Sequence, residues 1–358
     1  MNDNITPYVR YIGADDKDLD LFESQYVVPQ GISYNSYVIT DEKIAVMDTI
    51  DQRKTEEWTV RLEEALEGRT PDYLIVQHME PDHAANIGWF AEKYPEATIV
   101  ASAKAIQMMP QFFGKVNFAG RTQTVKEGDT LCLGQHTLKF IMAPMVHWPE
   151  VMLTYEESEK ILFSADAFGK FGALCHEGEW IDEARRYYFN IVGKYGAQVQ
   201  ALLKKTAGLD IAMICPLHGP VLKENLGYYI GLYDTWSKYE PETEGVVVAY
   251  ASIHGNTAAA ARRMAEILSE KGAAEVMLID LCRDDMALAV ESAFRYSKMI
   301  VAASSYDAGV FPPMFDFLHH LQIKNFQKRR VGIIENGSWA PTAGRMMSCM
   351  LSEMKNME

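Results

Sequence analysis

Short apolar runs recur from Ser36 to about His218, separated by polar stretches: Tyr37-Val38-Ile39, Ile44-Ala45-Val46, Tyr73-Leu74-Ile75-Val76, Thr98-Ile99-Val100, Leu138-Lys139-Phe140-Ile141, Ile161-Leu162-Phe163 and Ile211-Ala212-Met213-Ile214. Each predicts a buried strand. Between some of them, Glu56 to Glu67 and Glu183 to Lys204 bring an apolar residue back every three or four positions among charges, which predicts amphipathic helices. Such a mixture implies layers of both α and β structure.

The stretch Tyr239-Glu240-Pro241-Glu242-Thr243-Glu244-Gly245 is acidic, carries Pro and Gly, and precedes a fresh apolar run, Val246-Val247-Val248-Ala249-Tyr250. We place a domain boundary there, giving residues 1–243 and 244–358. Beyond it the alternation is regular: strand 246–250, helix from about Thr257 to Lys271, strand Val276 to Leu281, helix near Met286 to Tyr296, strand Met299 to Ala303, helix Phe315 to Leu321 and strand Val331 to Ile334. This βαβ series predicts a parallel, doubly wound sheet. Pro312 and Pro313 pre-set the start of the helix that holds Phe315. There is no internal repeat or low-complexity segment.

Composition narrows the function. A chain of 358 residues with 48% hydrophobic content exceeds what one core usually sustains and suffices for two. The net charge of -15 argues against nucleic acid or an anionic membrane as partner, because phosphates and acidic lipids attract Lys and Arg surfaces. Met1 to Arg10 is polar, and no apolar run approaches the ~20 residues that cross a bilayer, so a soluble, cytoplasmic protein is expected. Five cysteines (Cys132, Cys175, Cys215, Cys282, Cys349) are scattered without a C-x-x-C pair and are expected to be buried thiols in a reducing compartment.

His78-Met79-Glu80-Pro81-Asp82-His83 directly follows the run Tyr73 to Gln77, so four potential ligands share one loop at a strand's carboxyl end. His147, Asp166 and His218 follow three other strands in the same way. Any one of these residues ordinarily caps a turn; together they make a constellation. Four imidazoles and three carboxylates are too many for one tetrahedral zinc and suit two metals sharing a bridging carboxylate. With no thiolate among them, iron is favoured, while manganese and zinc stay open on ligand type alone. His136, His176, His319 and His320 sit in no such cluster and are read as structural, His176 being the one nearest the expected site.

The pattern H-x-E-x-D-H, followed by the spaced His147, Asp166 and His218, resembles the flavodiiron family, a branch of the metallo-β-lactamase superfamily whose hydrolases carry H-x-H-x-D-H. Glu80 replaces a neutral nitrogen by an anionic oxygen, which stabilises higher oxidation states of iron and favours redox chemistry over hydrolysis. The resemblance implies an αββα sandwich for the first domain. It also implies one iron on His78, Glu80 and His147, a second on Asp82, His83 and His218, and Asp166 as the bridge. In the family the His83 side chain can turn away. The interval from Asp166 to His218 is shorter than the family's, through a smaller loop around His176 to Trp180, so the pocket is expected to differ there. Tyr26, Trp148 and His176 are candidates for its lining.

In the second domain, Ser252-Ile253-His254-Gly255-Asn256-Thr257 joins a strand to a helix, where backbone N–H groups and small hydroxyls surround a phosphate well. The loop lacks the Lys of a triphosphate site and the G-x-G-x-x-G spacing of a dinucleotide site. It resembles the flavodoxin phosphate loop, S/T-x-x-G-N-T. Ser304-Ser305-Tyr306-Asp307-Ala308-Gly309 and Asn336-Gly337-Ser338-Trp339-Ala340 follow two further strands, the positions from which flavodoxins contact the isoalloxazine ring. Tyr306 and Trp339 would offer flat apolar faces to it. A flavodoxin-like sheet closes with a fifth strand and helix; the sequence is expected to stop within the helix after Trp339, about one βα unit short.

The resemblance thus implies an oxidoreductase with FMN and two non-haem iron ions, reducing dioxygen to water, nitric oxide to nitrous oxide, or both. With no rubredoxin-type cysteine knuckle, its electrons would come from rubredoxin or a similar small carrier. The family's head-to-tail homodimer, alone or as a dimer of dimers, is expected. Two rival readings are a zinc hydrolase of the metallo-β-lactamase type fused to an electron-transfer flavodoxin, and a non-catalytic gas or redox sensor.

Overall fold

A computed structural model describes residues 4–176 and 178–358. The chain divides into two compact units, Met1–Ala184 with Ala201–Tyr229, and Arg185–Gln200 with Ile230–Glu358.

In the first unit, six strands lie in the order Val9–Tyr11, Tyr37–Thr40, Ile44–Met47, Tyr73–Val76, Thr98–Ser102, Thr122–Val125. Five more form a second sheet in the order Thr130–Cys132, Thr137–Met142, Met152–Glu156, Ile161–Phe163, Met213–Cys215. Alternate residues of each sheet turn inward: Tyr37, Ile39, Met47, Ile75 and Val100 join Leu138, Phe140, Met152, Ile161 and Phe163 in one core. Each such side chain contributes about 1.5–3 kcal/mol by leaving water. The helix Thr55–Leu66 buries Trp58, Leu62, Ala65 and Leu66, the face that the helical period marked. All seven apolar runs contribute to strands, the last only through Met213–Cys215, since Ile211 and Ala212 stay partly or fully exposed before it.

Strand direction places the loops. Ile44–Met47 and Tyr73–Val76 are parallel, as are Ile161–Phe163 and Met213–Cys215. Thr137–Met142 runs the same way as Ile161–Phe163, because each is antiparallel to Met152–Glu156 between them. The segments after these strands hold Asp48, His78, His147, Asp166 and His218.

The second unit carries a parallel sheet in the order Val276–Asp280, Thr243–Ala251, Tyr296–Tyr306, Arg330–Asn336, with Gly309–Val310 folding back on the third. Helices Asn256–Glu270, Met286–Arg295, Pro312–Ile323 and Ala343–Ser352 follow its strands. The first strand lies inside the sheet, so the chain runs to Val276–Asp280 on one side of it and then to Tyr296–Tyr306 and Arg330–Asn336 on the other, as in a doubly wound sheet. Pro312 and Pro313 are the first two residues of their helix, where a missing N–H costs nothing.

Three expectations are corrected. The stretch Glu183 to Lys204 is not one amphipathic helix: Trp180–Tyr187 passes through a π-helical turn, Tyr188–Val192, and a 3-10 turn, Gly193–Tyr195, into Gly196–Thr206. Five consecutive residues, Tyr188 to Val192, are buried, which a helix with one polar face does not allow. Phe189 stacks on Phe294 at 4.4 Å, and Arg185 bonds Glu242 and Glu291, so this segment packs within the second unit. Second, the final helix ends at Ser352, and the last residues run beside Gln327–Val331, with Val331 N–H donating to Glu358 O at 2.8 Å. Third, Cys215 alone among the five cysteines is buried; Cys132, Cys175 and Cys349 are exposed, being on a strand's outer face, in a loop and on a helix's solvent side. Among the described residues no helix is long and apolar enough to cross a membrane.

Candidate metal centre and cofactor cavity

The loop after Tyr73–Val76 becomes a ligand platform because Pro81 starts a short helix, Pro81–Ala84, at Glu80. Asp82 and His83 ride on that turn, and Thr49 clamps it, its N–H and hydroxyl both donating to the His83 carbonyl at 2.9 and 2.7 Å. Asp48 accepts the Gln77 N–H at 2.7 Å and the Gln77 amide at 3.0 Å, and burial pushes its carboxyl up to about 6. The His218 loop is held from Ser33 and Asn35: Asn35 Nδ2 donates to the carbonyls of Pro216 and Gly219, and Gly219 N–H donates to Ser33 Oγ. Gly219 has φ +81, and a Cβ there would lie 2.6 Å from Lys170 Cγ, so no other residue fits without strain. Ala165 beside Asp166 and Met145 near His147 also hold positive φ, +49 and +65, a strained backbone of the kind that aims side chains at functional sites.

These segments bring all seven expected side chains into two groups: His78, Glu80, His147 and Asp166 in one, and Asp82, His83 and His218 in the other. In the first, Glu80 Oε2 is 3.2 Å from His78 Nε2 and 3.0 Å from His147 Nε2. In the second, Asp82 Oδ2 is 3.2 Å from both His83 Nε2 and His218 Nε2. Asp166 faces both, Oδ2 standing 3.2 and 3.1 Å from His78 and His147 while Oδ1 stands 3.3 Å from His83. Within this set His83 is turned inward.

The electrostatics are those of a site built around cations. The carboxylate oxygens of Asp82 and Asp166 are buried and accept no hydrogen bond, although imidazole nitrogens stand within 3.3 Å. In each group the candidate ligand atoms lie within 4.8 Å of one another, close enough to share one ion. Desolvation would raise the Asp166 carboxyl, yet the His78 charge and its imidazole neighbours hold it well below the carboxylate range. Burial likewise pushes His83 down, and the Asp82 charge and Asp166 contacts overcome it, raising it to about 10. In an ion-free state His78, His83 and His147, each lowered by burial but raised more by the carboxylates beside it, take up protons that a metal must displace.

Of the proposed pocket-lining residues, Trp148 lies edge-on to His78 at 5.3 Å. Tyr26 is buried, and desolvation and the charges of Glu23 and Glu80 raise its hydroxyl. His176 is exposed and joins neither group. Sequence reasoning missed Asp48, Glu150 and Glu23. Asp48 also follows a parallel strand at the same edge, the signal that marked Asp166. Glu23 comes from the turn between Leu21–Phe22 and Tyr26–Val27; desolvation and then the Glu80 charge raise it to about 7.

In the second unit a cavity of about 490 Å³ is lined from Ser252–His254, Asn256–Thr257, Ser304–Ala308 and Asn336–Ala340, with Thr342 added. Gly255 and Gly309 flank it without lining it, and Thr342 was not foreseen. Gly255, at φ +91, is the residue before the helix Asn256–Glu270, whose first N–H groups face this end. Ser305 Oγ accepts from Thr342 N–H and Ala343 N–H, so it braces the next helix. Ser304 Oγ is buried with no hydrogen-bond partner, and Trp339 is 83% exposed. An unmet hydroxyl and a bare indole beside a helix N-terminus fit a planar, phosphate-bearing group.

A family model described as "ODP family beta lactamase" matches residues 32–219. An anaerobic nitric oxide reductase flavorubredoxin from Aliivibrio fischeri is 29% identical, the match covering 95% of this chain and 70% of that protein. The rubredoxin oxygen:oxidoreductase of Desulfovibrio gigas superposes with a TM-score of 0.92 at 25% identity, over 99% of this chain and 90% of the other. The flavodiiron protein of Giardia intestinalis also reaches 0.92, at 24% identity, over 100% and 91%. With the seven-residue constellation in place and these matches over most of its length, this chain belongs to the flavodiiron protein family.

Proposed function

We propose that this protein is an oxidoreductase that takes electrons from a small external carrier through FMN to a non-haem diiron site, where dioxygen is reduced to water, nitric oxide to nitrous oxide, or both. One observation carries the reading: the Asp166 carboxylate turns one unpartnered oxygen to each imidazole group. A single ion would leave half of this arrangement unused. His78, Glu80 and His147 would hold one iron, Asp82, His83 and His218 the other, and Asp166 would join them. Ser252 to Thr257 would take the FMN phosphate, with Tyr306 and Trp339 at its ring.

Bound FMN accepts electrons in pairs and releases them singly, and two irons hold two more, which matches four electrons for dioxygen or two for a pair of nitric oxide molecules. The chain's own residues supply the setting. Phe22 packs edge-on to His218 at 5.4 Å and Trp148 on His78, shielding the imidazoles from water. Glu23, in the turn between Leu21–Phe22 and Tyr26–Val27, stands beside Glu80; burial and then the Glu80 charge raise its carboxyl.

The division at 243/244 and a cytoplasmic location, read from the sequence pattern, and a head-to-tail homodimer and rubredoxin as the carrier, read from the family resemblance, belong to the same proposal. The relatives named for nitric oxide and for rubredoxin and oxygen support both gases as substrates and a rubredoxin-type donor. Anaerobic turnover with each gas, on iron- and FMN-loaded protein with a reduced carrier, tests the reading. Consumption of neither gas would defeat it, and zinc in place of iron would point to hydrolysis.

A further inference from the structure

We propose that Glu150 is a positioning residue of the metal centre, fixing His78 as its Nδ1–H tautomer and making the position of His78, Glu80 and His147 the tighter of two metal positions. The inference rests on the two-ion reading above.

Geometry is the first ground. Glu150 Oε1 lies 2.8 Å from His78 Nδ1 and accepts the Met79 N–H at 2.9 Å, while Ser102 Oγ donates to the Glu150 carbonyl at 2.8 Å. A carboxylate at Nδ1 keeps the ring proton there and leaves the Nε2 lone pair free. Nε2 is the atom 3.2 Å from both Glu80 Oε2 and Asp166 Oδ2.

Asymmetry is the second. Apart from Asp166, each group has two imidazoles and one carboxylate, so the nearest ligands do not rank the positions. What stands behind the imidazoles does. An anion backs His78, whereas the neutral Ser33 carbonyl backs His218 at 2.7 Å, and His83 Nδ1 is buried without a hydrogen-bond partner. A carboxylate behind an imidazole raises its basicity and strengthens its hold on a cation.

Burial is the third. The Glu150 side chain is fully buried, and its Oε2 has no hydrogen-bond partner. A charge so placed is costly unless a positive charge answers it, and an ion across the His78 ring is that charge.

Glu150→Gln keeps the shape and one acceptor oxygen and removes the charge. Zinc titrated into the FMN-loaded protein against a chromogenic chelator should bind wild type at two ions per chain with unequal affinities. E150Q should weaken the tighter ion about 10- to 100-fold and leave the other within about twofold. No change at either position, or equal loss at both, overturns the proposal. Fewer than two ions in wild type overturns the two-ion reading as well, so the two failures are distinguishable. If E150Q does not fold, wild type decides: ¹⁵N-resolved spectra of the zinc-loaded protein should show a protected Nδ1 proton on His78 close to the Met79 amide. A proton on Nε2 instead overturns the proposal.

Discussion

His83 Nε2 lies 3.1 Å from His218 Nε2, and both stand 3.2 Å from one oxygen of Asp82. Two ring nitrogens this close to one another and to one carboxylate oxygen make sense around a cation. We therefore expect His83→Leu to lower iron from about two ions per chain to about one, with FMN retained. Metal analysis beside the flavin absorbance checks this, and full iron occupancy would remove His83 from the ligand set.

Glu80→Ala removes the oxygen that His78 and His147 share. The expected outcome is loss of one iron and at least an about 100-fold fall in gas reduction, with the yellow flavin still bound. Normal turnover would defeat the ligand assignment.

Asn256→Asp puts a negative charge at the first residue of the helix that faces the cavity. Repulsion of a phosphate at about 4 Å in water is about 1 kcal/mol, so FMN should bind roughly fivefold more weakly, with iron unchanged. Flavin affinity equal to wild type would count against the phosphate loop.

Asp41 supplies a pH test away from the metals. Burial would push its carboxyl up, but hydrogen bonds from the His136 N–H and ring and from the Glu42 N–H hold it below the ordinary range. A depressed carboxyl stabilises the fold above its unfolded pKa, about 3.9, and this is lost as pH falls through the folded value. The stability gap between wild type and Asp41→Asn should be constant from pH 7 to about 5 and shrink below about 4 in denaturant titrations. A gap that widens toward acid would reverse the assignment.

Arg329 is 2% exposed and donates to the carbonyls of Phe294, Tyr296 and Tyr239. Arg329→Leu leaves these acceptors unpaired, each costing about 1–3 kcal/mol. The second unit should melt well below wild type and lose FMN first; an unchanged melting temperature would show that water replaces the guanidinium.

Much of this protein is legible along the chain. His78 to His83 can be read as a ligand loop because a strand, a proline and four donors are adjacent, and local order needs no distant partner. Glu150 and Asp48 escaped notice for the opposite reason. Glu150 meets His78 across 72 residues with no local mark, and Asp48, though it follows a strand as Asp166 does, meets Gln77 across 29, so the sequence shows neither partner. The segment from Glu183 to Lys204 misled because periodicity reports one polar face, and the aromatic residues packed on Tyr188 and Phe189, Tyr233 and Phe294, come from elsewhere in the chain.

Sequence alone determined which residue types stand at the strand ends, and through strand and helix periods the kind of layers that carry them, because these depend on neighbours a few positions away. The tertiary structure decided that Asp166 turns one oxygen to each imidazole group, that His83 faces inward, and which imidazole has an anion behind it. Those are angles and distances between segments up to 185 residues apart, set by parallel strand pairing and core packing rather than by any local preference.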